Sequence, residues 1–450
     1  MKMKKLTRVL FMFAVMAASV LGAAKAASAQ VIEVTAQNFP DAAVRNELKQ
    51  YATEENASGS EAPDTGFHID TDKVTQLGIY KEVKDLTGIG LLTKLESLRL
   101  ASFGQDKLEL NNSSLKQLDL DGPTCKKLQI SVPKLETLVI ASADGGKLSS
   151  VDLSKNKNLK YFVLQGTKIS SIDVSKNTKL TNLNLLSNNL TSVNVSKNKN
   201  LSVLMLHGKK IKPVNLSKNT KLKQLSIDGS KKIKSVNLKK NTKLTALSLT
   251  NIGMKKVDLS KNKKLTGLAC YGTKISSLNL KKYTKLETLD VSNTKLSSLD
   301  LTKNKKLTLL NVSDTKIKTL NLKKQTKLKD LDVTNTKLSS LDLKKVKNLR
   351  RIGYYGTKIK KLSLAKYGVV KQKEQYPYNT FTIHYKVKKG TTINLKPYLG
   401  TGYKCSFASD GASYNKSKNT IKVKGKANTW ASLSLEKGKK VFSISIEIIK

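Results

Sequence analysis

Residues 286–306 read Leu-Glu-Thr-Leu-Asp-Val-Ser-Asn-Thr-Lys-Leu-Ser-Ser-Leu-Asp-Leu-Thr-Lys-Asn-Lys-Lys, and Leu307 starts the same pattern again. Its apolar positions are Leu286, Leu289, Val291, Leu296, Leu299 and Leu301. The local Leu-x-Leu alternation sets these side chains on one face of an extended segment. Val291 and its counterparts Val312 and Val333 are β-branched, which suits strands. The unit is itself double: Leu-x-x-Leu-x-Val-x-x-Thr is followed by Leu-x-x-Leu-x-Leu-x-x-Asn, offset by ten residues and then eleven.

Outward from this stretch, the leading leucine returns at Leu159, Leu180, Leu201, Leu222, Leu244, Leu265, Leu286, Leu307, Leu328 and Leu349, a step of 21 residues and once 22. A looser register continues upstream through Leu135, Leu115 and Leu95, and a degenerate first coil starts at Val74, giving about 13 coils. Each coil is expected to contribute two short strands, one to each side, so that stacking builds two parallel ladders. No coil buries its leucines alone, so the array needs neighbours and caps. Thr273, Thr294, Thr315, Thr336 and Thr357 close the first half-coil, and Asn156, Asn177, Asn198, Asn219, Asn241, Asn262 and Asn304 close the second. Short polar side chains at such turns bond backbone groups that the bend leaves unpaired, and the bond is expected to repeat with the next coil.

The pattern resembles the leucine-rich-repeat proteins, specifically the nested 21-residue bacterial class called IRREKO, over about 270 residues from Leu95 to Leu364. Leu299-Asp300-Leu301 and Leu341-Asp342-Leu343 carry the likeness, and Thr in place of Asn at the first turn departs from it, as do Lys209 and Ile252. The resemblance implies an extracellular recognition scaffold of bacterial surface and secreted proteins, with no catalytic residues to carry over.

The expected fold is therefore mainly β: a leucine-rich-repeat solenoid over 74–368, a short helical N-terminal cap over 30–73, and a small C-terminal β-sandwich over 380–450 after a linker at 369–379. Residues 1–29, with Lys2, Lys4 and Lys5 before an apolar run and Ala27-Ser28-Ala29 after it, have the build of a secretory signal peptide. No segment beyond it approaches the roughly 20 apolar residues of a lasting membrane span. Asp41 before Ala42–Tyr51 suggests a turn and an amphipathic helix that covers the first coil. The C-terminal stretch alternates Phe442, Ile444, Ile446 and Ile448 behind the hairpin signal Glu436-Lys437-Gly438-Lys439, and it looks like bacterial immunoglobulin-like modules.

Catalysis finds little support. His68, His207 and His384 lie in three separate regions without ligand-spaced partners, and no phosphate loop or nucleophile motif is present. Asp64, Asp70 and Asp72 lack the spacing of a calcium loop, so neither metal nor cofactor is expected. Cys125, Cys270 and Cys405 are too few and too scattered for a disulfide framework, and Cys270 reads as a core substitute for Leu.

Two surfaces stand out. The net charge of +50 is lopsided: residues 30–147 hold 13 basic and 18 acidic groups, a balance of −5, and residues 148–450 hold 65 and 15, a balance of +50. Much of it lies in a column four residues before each repeat leucine: Lys155, Lys176, Lys197, Lys218, Lys240, Lys261, Lys282, Lys303, Lys324 and Lys345. Such a column either binds an anionic polymer of the cell wall or another polyanion, or keeps a long monomeric solenoid soluble. The outward positions of the first ladder bring Tyr161, Val163, Leu186, Val203, Met205 and His207 together as a semi-apolar patch, the expected docking face for an extracellular protein or glycan.

Overall fold

The computed structural model describes residues 30–53, 64–143, 145–186, 189–349, 351–354, 356–359, 362–364, 379–388, 392–394, 404–426, 429–437 and 440–449. The leader-like segment and residues 369–378 of the expected linker lie outside these residues, and Asn379, its last residue, opens a strand. Fourteen parallel strands, from Gln76–Ile79 to Arg351–Gly353, stack into one unbroken ladder, so thirteen coils run between the first and the last. Register follows the repeat: Leu289 pairs with Leu310, which pairs with Leu331. Within a coil Leu286, Leu289, Val291 and Leu296 are 0% exposed and Leu301 2%, while Leu299 is half-buried. Each fully buried aliphatic side chain contributes about 1.5–3 kcal/mol, and it is the coils above and below that exclude the water.

The second side departs from expectation, because its ladder is in three pieces. Lys107–Glu109, Lys127–Ser131 and Ser150–Asp152 form one, Ser171–Ile172 with Ser192–Val193 a second, and Leu341–Leu343 with Leu362–Leu364 a third. Pro213 has no N–H to give a ladder. In the coils that follow, the half-coil is joined to its predecessor where it begins, as where Lys295 N donates to Ile275 O at 2.9 Å and Lys316 N to Leu296 O at 2.8 Å. It then bends after three residues, where the carboxylate of Asp300 accepts the N–H of Thr302 at 3.0 Å.

Three columns of polar residues mark the turns, and one of them bonds coil to coil. The asparagines are buried and bond across coils: Asn219 Nδ2 donates to Val195 O at 2.9 Å and to Asn198 O at 3.0 Å, and Asn198 repeats this with Val174 and Asn177. The threonines do not bridge coils, contrary to the sequence reading. Thr294 Oγ1 donates to Val291 O at 2.7 Å within its own coil, as Thr273, Thr315 and Thr336 do in theirs. Immediately before that threonine, or before Ile252 in its place, sits a third column in the left-handed region: Asn251, Gly272, Asn293, Asp314, Asn335 and Gly356, with φ between 51° and 68°. Only Gly, Asn and Asp adopt that region at low cost, because their side chains are absent or bond locally.

Both ends are sealed. The helix Ala42–Leu48 buries Val44 and Leu48 over the first coil, with Asp41 capping it by accepting the N–H of Ala43 at 2.8 Å. Val31–Val34 and Phe67–Asp70 add an antiparallel pair that the sequence did not announce. At the other end Asn379–Lys388 pairs in parallel with Arg351–Gly353, so the C-terminal strands extend the solenoid ladder. They form two sheets, one from Asn379–Lys388, Lys440–Ile449, Thr429–Lys437 and Lys404–Ala408, the other from Thr392–Asn394, Thr420–Val423 and Ala412–Asn415.

Candidate functional site

Because the strands stack in register, every second residue of the first ladder falls into a row on its outward face. The central row runs Val139, Val163, Asn184, Met205, and beside it runs Thr137, Tyr161, Asn182, Val203. A third row runs Ala101, Asp121, Ala141, Gln165, Leu186, and further along it His207 lies against Asp228. The structure thus brings Tyr161, Val163, Leu186, Val203, Met205 and His207 onto one face. All six are half-buried, because each side chain leans on its neighbours one coil above and below. The sequence reading had them open to solvent; among the described large apolar side chains only Val31, Tyr80, Leu91 and Tyr271 are.

The patch has polar features that periodicity alone does not reveal. Asn184, at its centre, is 5% exposed and its Oδ1 has no hydrogen-bond partner. Burial pushes the hydroxyl of Tyr161 up, against a hydrogen bond with Asn184. Two coils before Val163 in the same row, Asp119 Oδ1 is also buried without a partner. Burial pushes that carboxyl above its usual range, opposed by Gln117, whose Nε2 is 3.3 Å from Oδ2, and by the charge of Arg99. An unpaired buried acceptor costs about 1–3 kcal/mol; the turn asparagines, among them Asn156, Asn177 and Asn198, leave an Oδ1 in the same state, and these two oxygens are set apart by their place in an outward row of the ladder.

His207 Nδ1 lies 2.6 Å from Asp228 Oδ2, and the other carboxylate oxygen accepts Thr250 Oγ1 at 2.6 Å and Asn251 Nδ2 at 2.9 Å. Burial works to raise Asp228, and these hydrogen bonds outweigh it and hold the carboxyl below its usual value. The network spans coils and runs on to Tyr271, whose hydroxyl accepts Asn251 Nδ2 at 3.1 Å, and it bounds the patch on its C-terminal side. Further along, the acidic residues of the face are occupied: Asp290 Oδ1 accepts Ser292 N at 2.9 Å and Arg351 pairs with Asp330.

All ten lysines of the column are exposed and lie on the turn that the buried asparagines close. Among the described residues none of the ten forms an ion pair, whereas nearer the N-terminus Lys116 meets Glu96 and Lys160 meets Glu136, both at 2.7 Å. Cys270 is buried with its thiol pushed up to about 12, as a core residue would be. Among the described residues no group of three or more His, Cys, Asp or Glu is placed to hold a metal, and no helix is long and apolar enough to cross a membrane.

No protein-family model and no curated protein matches the sequence. Solved structures do resemble it. The functional domain of InlJ from Listeria monocytogenes, which includes a cysteine ladder, shares 21% identity over 94% of this chain and 99% of that one, with a TM-score of 0.56. The internalin InlF of the same species shares 20% over 74% of this chain and 91% of its own, at a TM-score of 0.45. YopM, a leucine-rich effector protein from Yersinia pestis, shares 17% over 64% and 79%, at 0.46. The likeness to the InlJ domain is one of fold and spans nearly the whole chain: this chain folds as a leucine-rich-repeat solenoid, its coils joined by one parallel strand ladder and, at the second turn, by buried asparagines.

Proposed function

We propose that this chain is a non-catalytic extracellular recognition or adhesion protein that binds a protein or glycan through the outward face of the first ladder between Asp119 and His207. The observation that carries the reading is the pairing of a contiguous apolar patch with two buried, unsatisfied acceptors, Asp119 Oδ1 and Asn184 Oδ1, in one row. Apolar contacts supply area and the acceptors supply direction, which is how a binding face combines affinity with specificity. The leader-like N-terminus supports an extracellular location, and the sealed ends support a monomer.

The test is a screen of purified extracellular proteins and immobilised glycans in about 500 mM salt, where exposed charge is screened to a Debye length of roughly 4 Å. Binders are then measured against the triple variant Val163→Asp, Leu186→Asp, Met205→Asp. A ligand bound through this face loses at least about 100-fold in affinity, roughly 2.7 kcal/mol, as expected when buried apolar contacts are replaced by charge. Ligands that bind the variant undiminished, with its circular dichroism unchanged, would remove the ladder face from consideration.

A further inference from the structure

The solenoid carries a second surface that the ladder face does not use. On the turn of the asparagine column, seven of the ten coils read Lys-Asn-Thr-Lys-Leu, Lys-Asn-Lys-Lys-Leu or Lys-Asn-Lys-Asn-Leu, and Tyr283, Gln325 and Val346 replace the asparagine in the other three, so each coil sets Lys at one fixed place and adds one or two beside it. Because the ladder is in strict register and the asparagine column locks the turn, these places form straight lines. At roughly 4.8 Å per coil, the ten lysines from Lys155 to Lys345 line an edge of roughly 43 Å. Some of the accompanying lysines are laid along that edge. Lys179 Nζ is 2.7 Å from Asn158 Oδ1, and Lys221 Nζ is 2.7 Å from Asn200 Oδ1, each in the preceding coil.

Counter-charges nearby are few and engaged. The carboxylates of Asp152, Asp173, Asp258, Asp300 and Asp342 each accept the N–H two residues on, at 2.8–3.0 Å. The single ion pair they make among the described residues is the long one of Asp300 with Lys281, at 3.8 Å. Ammonium groups held this close repel one another within the roughly 8 Å Debye length at physiological salt. A polymer with evenly spaced negative charge relieves that repulsion along the whole edge and releases its own condensed counterions.

What the edge lacks narrows the class of polymer. Nucleic-acid strands are held by a basic track together with aromatic rings on which bases stack. Here the exposed aromatics among the described residues are Tyr80 and Tyr271, both on the first-ladder side, while Tyr283 of this turn is 5% exposed and faces the core. The described residues of the edge also include no arginine, whose planar fork matches carboxylates in two parallel bonds. Lysines alone are compact point charges that suit phosphate without demanding a fixed orientation. We propose that this edge binds a linear, base-free phosphodiester polymer of the polyol-phosphate kind along its length, separately from whatever the ladder face binds.

The experiment uses the full chain, poly(glycerol phosphate) as the probe, and poly(dT) and a polyuronate at equal charge as comparisons. A polymer that engages four phosphates loses roughly 100-fold in affinity between about 50 mM and 200 mM salt. The variant Lys261→Gln, Lys282→Gln, Lys303→Gln, Lys324→Gln should weaken binding at least about tenfold and flatten the salt slope. The ladder-face triple variant should bind the polymer as the parent does, which separates this proposal from the previous one. Lack of binding at about 50 mM salt, a lysine variant that binds undiminished, or tighter binding of poly(dT) or the polyuronate than of poly(glycerol phosphate) would each overturn it.

Discussion

Two kinds of residue hold one coil to the next, and they are expected to fail differently. Asn219 donates to two carbonyl oxygens of the preceding turn, at 2.9 and 3.0 Å, and is itself 0% exposed. Asn219→Ala removes both bonds and leaves Val195 O and Asn198 O with only the donors of their own turn, Asn198 N at 3.0 Å and Leu201 N at 3.2 Å, at an expected loss of about 1–3 kcal/mol read from chemical denaturation midpoints. Gly272 is the opposite case, needed for what it lacks. Its φ is +66°, and a Cβ there would stand 2.2 Å from Asn251 Oδ1, so the preceding coil's asparagine occupies the space that glycine leaves. Gly272→Ala combines left-handed strain with overlap, about 3 kcal/mol together. Over an Asn251→Gly background the same change should cost about 1–2 kcal/mol, because only the strain remains. Equal costs in the two backgrounds would show that the side-chain contact carries nothing. The asparagine column was legible in the sequence because one residue type recurs at one position. The left-handed column was written there too, but as Gly, Asn and Asp in alternation. Those residues share a backbone conformation and not a side-chain chemistry, so a search by residue type passes over them.

At the scale of the element, alternation in the sequence told which side chains turn inward, and on both sides of the coil they do. It could not tell whether a strand's backbone groups meet those of the next coil, and on the second side they mostly do not. The Leu-Asp-Leu motif shows what holds that side instead. Its aspartate, or an asparagine in Asn194, Asn215, Asn237, Asn279 and Asn321, accepts the N–H two residues on. Those backbone bonds hold the carboxyls of Asp173, Asp258 and Asp300 below the usual value of 3.8. A carboxyl lowered by folding contributes stability above its unfolded value, and that contribution is lost as pH falls through the lowered one. Thermal midpoints should therefore hold between pH 7 and about 5 and fall below about pH 4. The triple change Asp173→Asn, Asp258→Asn, Asp300→Asn keeps the acceptor, as the native asparagines do. It should match the parent at pH 7 and lose less between about pH 4 and 2. An acid limb identical in parent and variant would mean that these bonds do not feel protonation. In the C-terminal strands, Lys404–Ala408 and Ala412–Asn415 escaped a reading by alternation. Ser, Asp and Gly between and within them read as turn chemistry, and their partners lie too far away in sequence to announce a sheet.

Across the whole molecule, fold and charge pull in opposite directions. The sequence carries a net charge of +50, nearly all of it beyond residue 148, on a scaffold that stacks like charges coil upon coil. Repulsion between lines of ammonium groups spaced at roughly 4.8 Å acts on the folded solenoid and relaxes when the chain expands. Salt should then stabilise this protein, the reverse of what it does to one held by surface ion pairs, which among the described residues are few and mostly exposed. The thermal midpoint is expected to rise as sodium chloride goes from about 20 mM to about 300 mM, where the Debye length shrinks from roughly 20 Å to below 8 Å. Lys261→Gln, Lys282→Gln, Lys303→Gln and Lys324→Gln together should raise the low-salt midpoint and reduce that slope, because they remove neighbours from one line. Chloride also strengthens apolar burial to some degree, and that contribution is common to parent and variant, so the difference between their slopes isolates the charge. If the two slopes coincide, the columns do not repel measurably in the folded state, and a polyanion laid along them would have no strain to relieve, leaving counterion release as its sole driving force.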